Sequence, residues 1–264
     1  MNDLDVFLMF LNDYLEKFNN LSEKYDHTIN NYLELESLID EYSNFIVNTR
    51  NQEMWEKLQQ QENCDLNQLI VSLREKSSSC VAIMEKYRAL KLLSGAAEIT
   101  DYFKNIESCI AKEFGSFQIT SNSKVLLVGS GSFPMTPLLI AKRTGAEVVG
   151  IDIDDEAIEL GLGVVERLGT GLNIRLEKVS VENLDFTKDA THIICSSTVK
   201  EKYNILEQLH TLTNDNVVVA IRYGDQLKSL FNYPSKEVDK QKWNKIDDIL
   251  RPNDVFDIEL YRKV

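Results

Sequence analysis

The first 115 residues contain no proline and only two glycines, Gly95 and Gly115. Without those two residues to punctuate it, the segment offers no signal for a turn-rich β architecture and leaves long helices uninterrupted. Cysteine is scarce and scattered: Cys64, Cys80, Cys109 and Cys195 show no zinc, redox or disulfide-framework spacing. Free thiols in a reducing cytoplasm are the expectation. His27, His192 and His210 are equally dispersed, so no protein-bound catalytic metal is expected. Positive charge is in deficit. The net charge is −13 and no basic stripe is visible, which argues against a nucleic-acid substrate and is read as solubility. No apolar run has the length to cross a bilayer. The start, Met1 to Asp5, is acidic where a signal peptide would be basic, so none is expected.

Apolar residues in the N-terminal part recur at helical spacing. Val6, Phe7, Met9, Phe10, Leu11 and Tyr14 mark a first helix, and Ile29, Tyr32, Leu33, Leu35, Leu38, Ile39, Tyr42 and Ile46 a second. A long third pattern runs from Leu66 to Leu93, with Gly95 as its stop, and Ile99, Tyr102, Phe103, Ile106 and Ile110 mark a last one. From Lys124 the texture changes to short Val/Ile/Leu runs alternating with helical patterns, as in βαβ units. Strands are expected at 125–128, 146–154, 173–178, 191–195, 216–221 and 254–260, with helices starting near Pro134, Asp154, Lys200 and Gly224. The fold class is therefore α/β: a Rossmann-like domain over 119–264, preceded by an α-helical bundle over 1–118.

The run Val125-Leu126-Leu127-Val128-Gly129-Ser130-Gly131-Ser132-Phe133-Pro134 carries the most information. A buried strand leads into two glycines that let the backbone turn tightly and approach a ligand. A second strand follows and ends in Asp152, about 20 residues beyond the loop, where a Rossmann-like fold places a carboxylate on a ribose diol. Together they indicate an adenosyl-bearing ligand. A dinucleotide would want a third glycine where Pro134 stands, and proline has no N–H to offer a phosphate. S-adenosylmethionine has no phosphate and tolerates that loss. An ordinary methyltransferase usually has an acid two residues before the first glycine; here the residue is Leu127. Parallel sheets bind ligands at the carboxyl ends of their strands, which gathers Gly129–Ser132, Asp152, Ser180 and Val181, Cys195–Thr198, and Arg222 and Tyr223 around one crevice.

The misfit loop resembles that of the nicotianamine synthase family, in which a G-x-G-x-x-P-x-T loop follows an apolar strand. Val128 to Thr136 fits that pattern, and Gly145 to Asp154 continues it. Met84-Glu85-Lys86 on a long helix, Thr100-Asp101-Tyr102-Phe103, and Ile221-Arg222-Tyr223-Gly224 with Leu230 to Pro234 extend the resemblance, which spans about Met84 to Pro234. The small, acidic chain is most similar to the bacterial branch, which makes opine metallophores of the staphylopine type. That resemblance implies transfer of the aminobutanoyl (3-amino-3-carboxypropyl) group of S-adenosylmethionine to the amine of histidine, with D-histidine as the expected acceptor and methylthioadenosine released. The metal would be bound by the finished product.

The resemblance implies that Glu85, on a helix able to cover the mouth of the crevice, prepares the attacking amine, with Tyr102 as second choice. Cofactor contacts are expected from Gly129, Ser130, Gly131, Phe133, Pro134, Asp152, Ile153, Ser180, Val181 and Ser196. Asp154 is read as a helix cap, and Arg222 or Tyr223 as holding a substrate carboxylate, for which arginine's planar fork is suited. His192 reads as structural and Lys200-Glu201-Lys202 as a helix start. Rival readings are a conventional small-molecule methyltransferase and a helical adaptor with a relic Rossmann domain. Oligomeric state is open, a homodimer included, and no nucleic-acid or membrane partner is expected.

Overall fold

The computed structural model describes residues 3–60, 64–95 and 118–264. Two compact units form. One comprises Met1–Tyr87, Tyr223–Ser235 and Leu250–Asp257; the other comprises Arg88–Arg222, Lys236–Ile249 and Ile258–Val264.

The first unit is helical. Helix α1 (Asp3–Glu23) buries Phe7, Leu11, Tyr14, Phe18 and Leu21, a spacing that keeps them on one stripe. Helix α2 (Tyr32–Val47) does the same with Tyr32, Leu35, Leu38, Tyr42 and Ile46. Helix α3 (Thr49–Gln59) follows, and the apolar pattern does not announce it: only Trp55 and Leu58 are buried, and it is started by the Asn48 side chain accepting from the N–H groups of Arg50 and Asn51. The long helix α4 (Cys64–Leu93) starts close to its expected place and ends just before Gly95. Leu227, Leu230 and Phe231 join this helical core. The Tyr42 phenol donates to Leu230 O at 3.1 Å, and its ring meets Phe231 edge-on at 5.3 Å. The helix expected near Gly224 is a short 3-10 turn, Gln226–Leu230. The last helical pattern, Ile99 to Ile110, lies outside the described residues.

The second unit is built on most of a seven-stranded sheet. Strands β1 (Lys124–Val128), β2 (Glu147–Ile151), β3 (Ile174–Glu177), β4 (His192–Cys195) and β5 (Val218–Tyr223) are joined by β6 (Trp243–Ile249) and β7 (Asp257–Lys263), in the order β3-β2-β1-β4-β5-β7-β6. The pairs β1–β2, β1–β4, β2–β3 and β4–β5 are parallel, and β6–β7 is antiparallel. Strand order reverses at β1/β4, the switch point where such sheets open a crevice. Helices α5 (Met135–Thr144), α6 (Asp155–Leu168) and α7 (Lys202–Leu212) follow β1, β2 and β4. The last four residues of β1 and of β2 are buried, as expected of strands covered on both faces. The terminal strand sits three residues later than the expected 254–260, and β6 is an addition to the expected set.

Candidate functional site

Register lines up the ends of the parallel strands. Val128 pairs with Ile151 and with Cys195, Ile151 with Glu177, and Cys195 with Ile221. The residues that follow these positions therefore emerge along one edge of the sheet. They are Gly129, Asp152, Lys178, Ser196 and Arg222.

The glycine loop is shaped by its own hydrogen bonds. Gly129 and Gly131 have φ of +78° and +65°, values that L side chains rarely adopt. The N–H groups of Gly129 and Ser130 both donate to Ile151 O, at 2.9 and 3.0 Å, and Gly131 N–H donates to Asp152 Oδ2 at 2.9 Å. Ser196 Oγ closes the other side by donating to Gly129 O at 2.8 Å. The donors of Gly129, Ser130 and Gly131 are thus committed within the protein. A pyrophosphate would find none of these three N–H groups, whereas a ligand without phosphate needs none of them. Ser130 is buried, and its hydroxyl has no hydrogen-bond partner among the described residues.

Asp152 is half-buried at the end of β2. Besides Gly131, it accepts from the N–H groups of Ile153 and Asp154 through Oδ1, at 2.8 and 3.1 Å. The next residue, Ile153, is 84% exposed. A large apolar side chain left in water beside a carboxylate suits an adenosine, with ribose toward the acid and a flat base toward the isoleucine. Asp154 caps α6, its Oδ1 accepting from Glu156 and Ala157 N–H. Phe133 and Pro134, which end the loop just before α5, are buried. Ser180 is half-buried and Val181 buried, at a 3-10 turn beyond β3.

On the other side of the switch point, Arg222 is half-buried, and its Nη2 donates to Thr136 Oγ1 in the first turn of α5 at 3.2 Å. Tyr223, next in the chain, is buried. The reading of Lys202 as a helix start alone needs correction. It does begin α7, but its side chain is fully buried, and Nζ donates to Ser197 O at 3.1 Å and to Arg222 O at 2.8 Å. Burial pushes the Cys195 thiol up to about 12, against the pull of the Lys202 and Arg222 charges. His192 is buried, with Nδ1 at 2.9 Å from Thr191 Oγ1. Glu85 is half-buried on α4, between buried Met84 and Tyr87. Tyr102 lies outside the described residues. Among the described residues no group of three or more His, Cys, Asp or Glu could hold a metal ion, and no helix is long and apolar enough to cross a membrane.

Two further glycines shape the site. A Cβ on Gly150, inside β2, would lie 2.8 Å from Ser130 Cβ and 2.7 Å from Leu176 Cδ2. A Cβ on Gly161, in α6, would lie 3.3 Å from Gly131 O. A glycine inside a strand is itself a sign of close backbone approach, and that signal was available in the sequence.

A family model described as a methyltransferase domain matches residues 119–254. The chain belongs to this methyltransferase-domain family. It is 29% identical over 178 residues to the L-histidine 2-aminobutanoyltransferase of Pseudomonas aeruginosa (strain UCBPP-PA14), a match covering 67% of this chain and 68% of that one. The Yersinia pestis protein of the same name is 33% identical over 180 residues, covering 66% and 65%. Among solved structures, MtNAS in complex with MTA and tNA superposes with a TM-score of 0.78 at 14% identity, over 98% of each chain. A point mutant of MtNAS gives 0.78 at 13% identity, over 96% of each chain. At such identities the likeness concerns the fold.

Proposed function

We propose that this chain is a transferase that moves the aminobutanoyl group of S-adenosylmethionine to the amine of histidine and releases methylthioadenosine. The observation that carries the cofactor assignment is the glycine loop: it turns tightly at the switch point while the N–H groups of Gly129, Ser130 and Gly131 are already used within the protein. The two relatives named for this transfer to L-histidine support the choice of acceptor. The resemblance to staphylopine-type enzymes favours D-histidine, so the two enantiomers are the two arms of the assay.

Bound S-adenosylmethionine supplies a sulfonium whose C–S bonds break toward a neutral thioether. The chain's part is to choose the carbon. Asp152 and Ile153 fix the adenosine, and Arg222 holds a carboxylate, so the amine meets the γ-carbon of the methionine arm in line with its bond to sulfur. The amine's lone pair forms the new C–N bond, the C–S electron pair stays on sulfur, and the amine proton passes to the Glu85 carboxylate. Tyr102 is the second candidate for that role. The substrate is a small molecule, in keeping with a net charge of −13, and the reducing cytoplasm is in keeping with the free thiols of Cys80 and Cys195.

The family's description as a methyltransferase domain favours a second reading, methyl transfer. Chromatography of the spent nucleoside separates the two. Methylthioadenosine formed only with histidine supports aminobutanoyl transfer; S-adenosylhomocysteine supports methyl transfer. Glu85→Gln should lower turnover about 10²-fold while cofactor affinity is kept. Full activity in the Gln variant would move the assignment to Tyr102.

A further inference from the structure

Lys202 and Thr136 are polar groups in the sheet unit that the proposed chemistry does not use. A lysine is almost never fully buried, because its ammonium loses water that only good hydrogen bonds can replace. Lys202 is 0% exposed. Its donors reach Ser197 O, just past the end of β4, and Arg222 O, in β5. Stability alone does not call for such a cation, since an apolar residue of similar volume often serves as well. Thr136 is buried too, and its hydroxyl accepts from the Arg222 guanidinium. Arg222 is therefore gripped twice: at its main chain by an ammonium from α7, and at its side chain by a hydroxyl from the helix that follows the glycine loop. The side chain stays half-buried, so an anion can still reach it.

We propose that Thr136 and Lys202 are positioning residues that preset Arg222 as a seat for a substrate α-carboxylate. This rests on the proposed function, in which both reactants carry such a group, on the methionine arm of S-adenosylmethionine and on histidine. A preset fork loses little freedom when the carboxylate arrives and sets the distance between nitrogen and carbon. Lys202 adds a second positive charge at the same strand ends.

Methylthioadenosine provides the control, since it keeps the adenosine and lacks the carboxylate-bearing arm. Thr136→Val keeps the shape and removes the hydroxyl. Expected is a loss of about three- to tenfold, in S-adenosylmethionine affinity if the seat takes its arm or in KM for histidine if it takes the acceptor, with methylthioadenosine affinity within about twofold of wild type. Thr136→Ser should restore the lost term. With Arg222→Lys in the background, Thr136→Val should add nothing, because its effect runs through the guanidinium. Unchanged affinity and KM in Thr136→Val overturn the proposal, as does a full additive loss on top of Arg222→Lys. Lys202→Met should give the same selective loss; a Met variant that fails to fold, or loses methylthioadenosine equally, removes Lys202 from the seat. Wild-type chain that binds neither nucleoside overturns the proposed function itself, whereas wild type that binds both and a Thr136→Val variant that loses neither overturn the seat alone.

Discussion

Asp152, proposed above to hold the ribose, also serves the protein. Its carboxylate accepts from Gly131, Ile153 and Asp154 N–H, so it holds the glycine loop against the end of β2. Asp152→Ala should therefore have two effects. The melting temperature should fall, by the equivalent of about 1–3 kcal/mol for orphaned donors. Calorimetry should also show S-adenosylmethionine and methylthioadenosine weakened alike, since both carry the ribose; wild-type affinity for both would remove Asp152 from the site. Asp154, two residues on, is the contrast. It caps α6, so Asp154→Ala should cost about 1 kcal/mol of stability and spare affinity. The capping by Asp154 was legible from its place after the second strand. The grip of Asp152 on Gly131 was not, because it joins residues 21 apart and exists only once the loop has folded back.

At the scale of elements, the loop depends on small residues beneath it. Gly150→Ala would drive a methyl into Ser130 Cβ and Leu176. It should cost about 1–3 kcal/mol in a denaturant titration and weaken the adenosyl ligand by displacing the loop. A variant as stable and as tight-binding as wild type would show that β2 and the loop are not packed in this way. The strands β1, β2, β4 and β5 were readable because nearly all their residues are buried, which leaves apolar runs, whereas β3, at the sheet edge, alternates apolar Ile174 and Leu176 with charged Arg175 and Glu177. Strand β6 was not: Trp243-Asn244-Lys245-Ile246-Asp247-Asp248-Ile249 lies at the sheet edge with Trp243 as its one buried residue, so its pattern is that of a polar segment. Helix α3 escaped for the same reason, having two buried apolar residues in eleven positions. Lys202 was passed over because a lysine at a helix start reads as solvated, and only the meeting of β4, β5 and α7 makes it buried.

At the scale of the whole molecule, one described core is helical and another lies against the sheet, and the chain returns from the sheet to complete the helical one. Tyr42 donates to Leu230 O, and Ser77 Oγ lies 3.3 Å from the same carbonyl and 3.2 Å from Arg74 O, so its one hydrogen can turn to Leu230 O when Tyr42→Phe removes the phenol. Its cost in urea unfolding should be at the low end for a buried hydrogen bond, about 0.5 kcal/mol, and a cost several times larger would mean that Ser77 does not share the carbonyl. Each core also encloses a thiol, Cys80 in one and Cys195 in the other, and burial pushes both up to about 12. Neither should alkylate in the native protein near about pH 8, and both should after unfolding, as peptide mass mapping can read. The central claim concerns which carbon leaves the sulfur, and one measurement reaches it directly: S-adenosylmethionine carrying one isotope in the aminobutanoyl carbons and another in the methyl, incubated with each histidine enantiomer. The account predicts the aminobutanoyl isotope in a histidine adduct and the methyl isotope in methylthioadenosine. Methyl isotope on histidine, with the aminobutanoyl isotope left in S-adenosylhomocysteine, would contradict it.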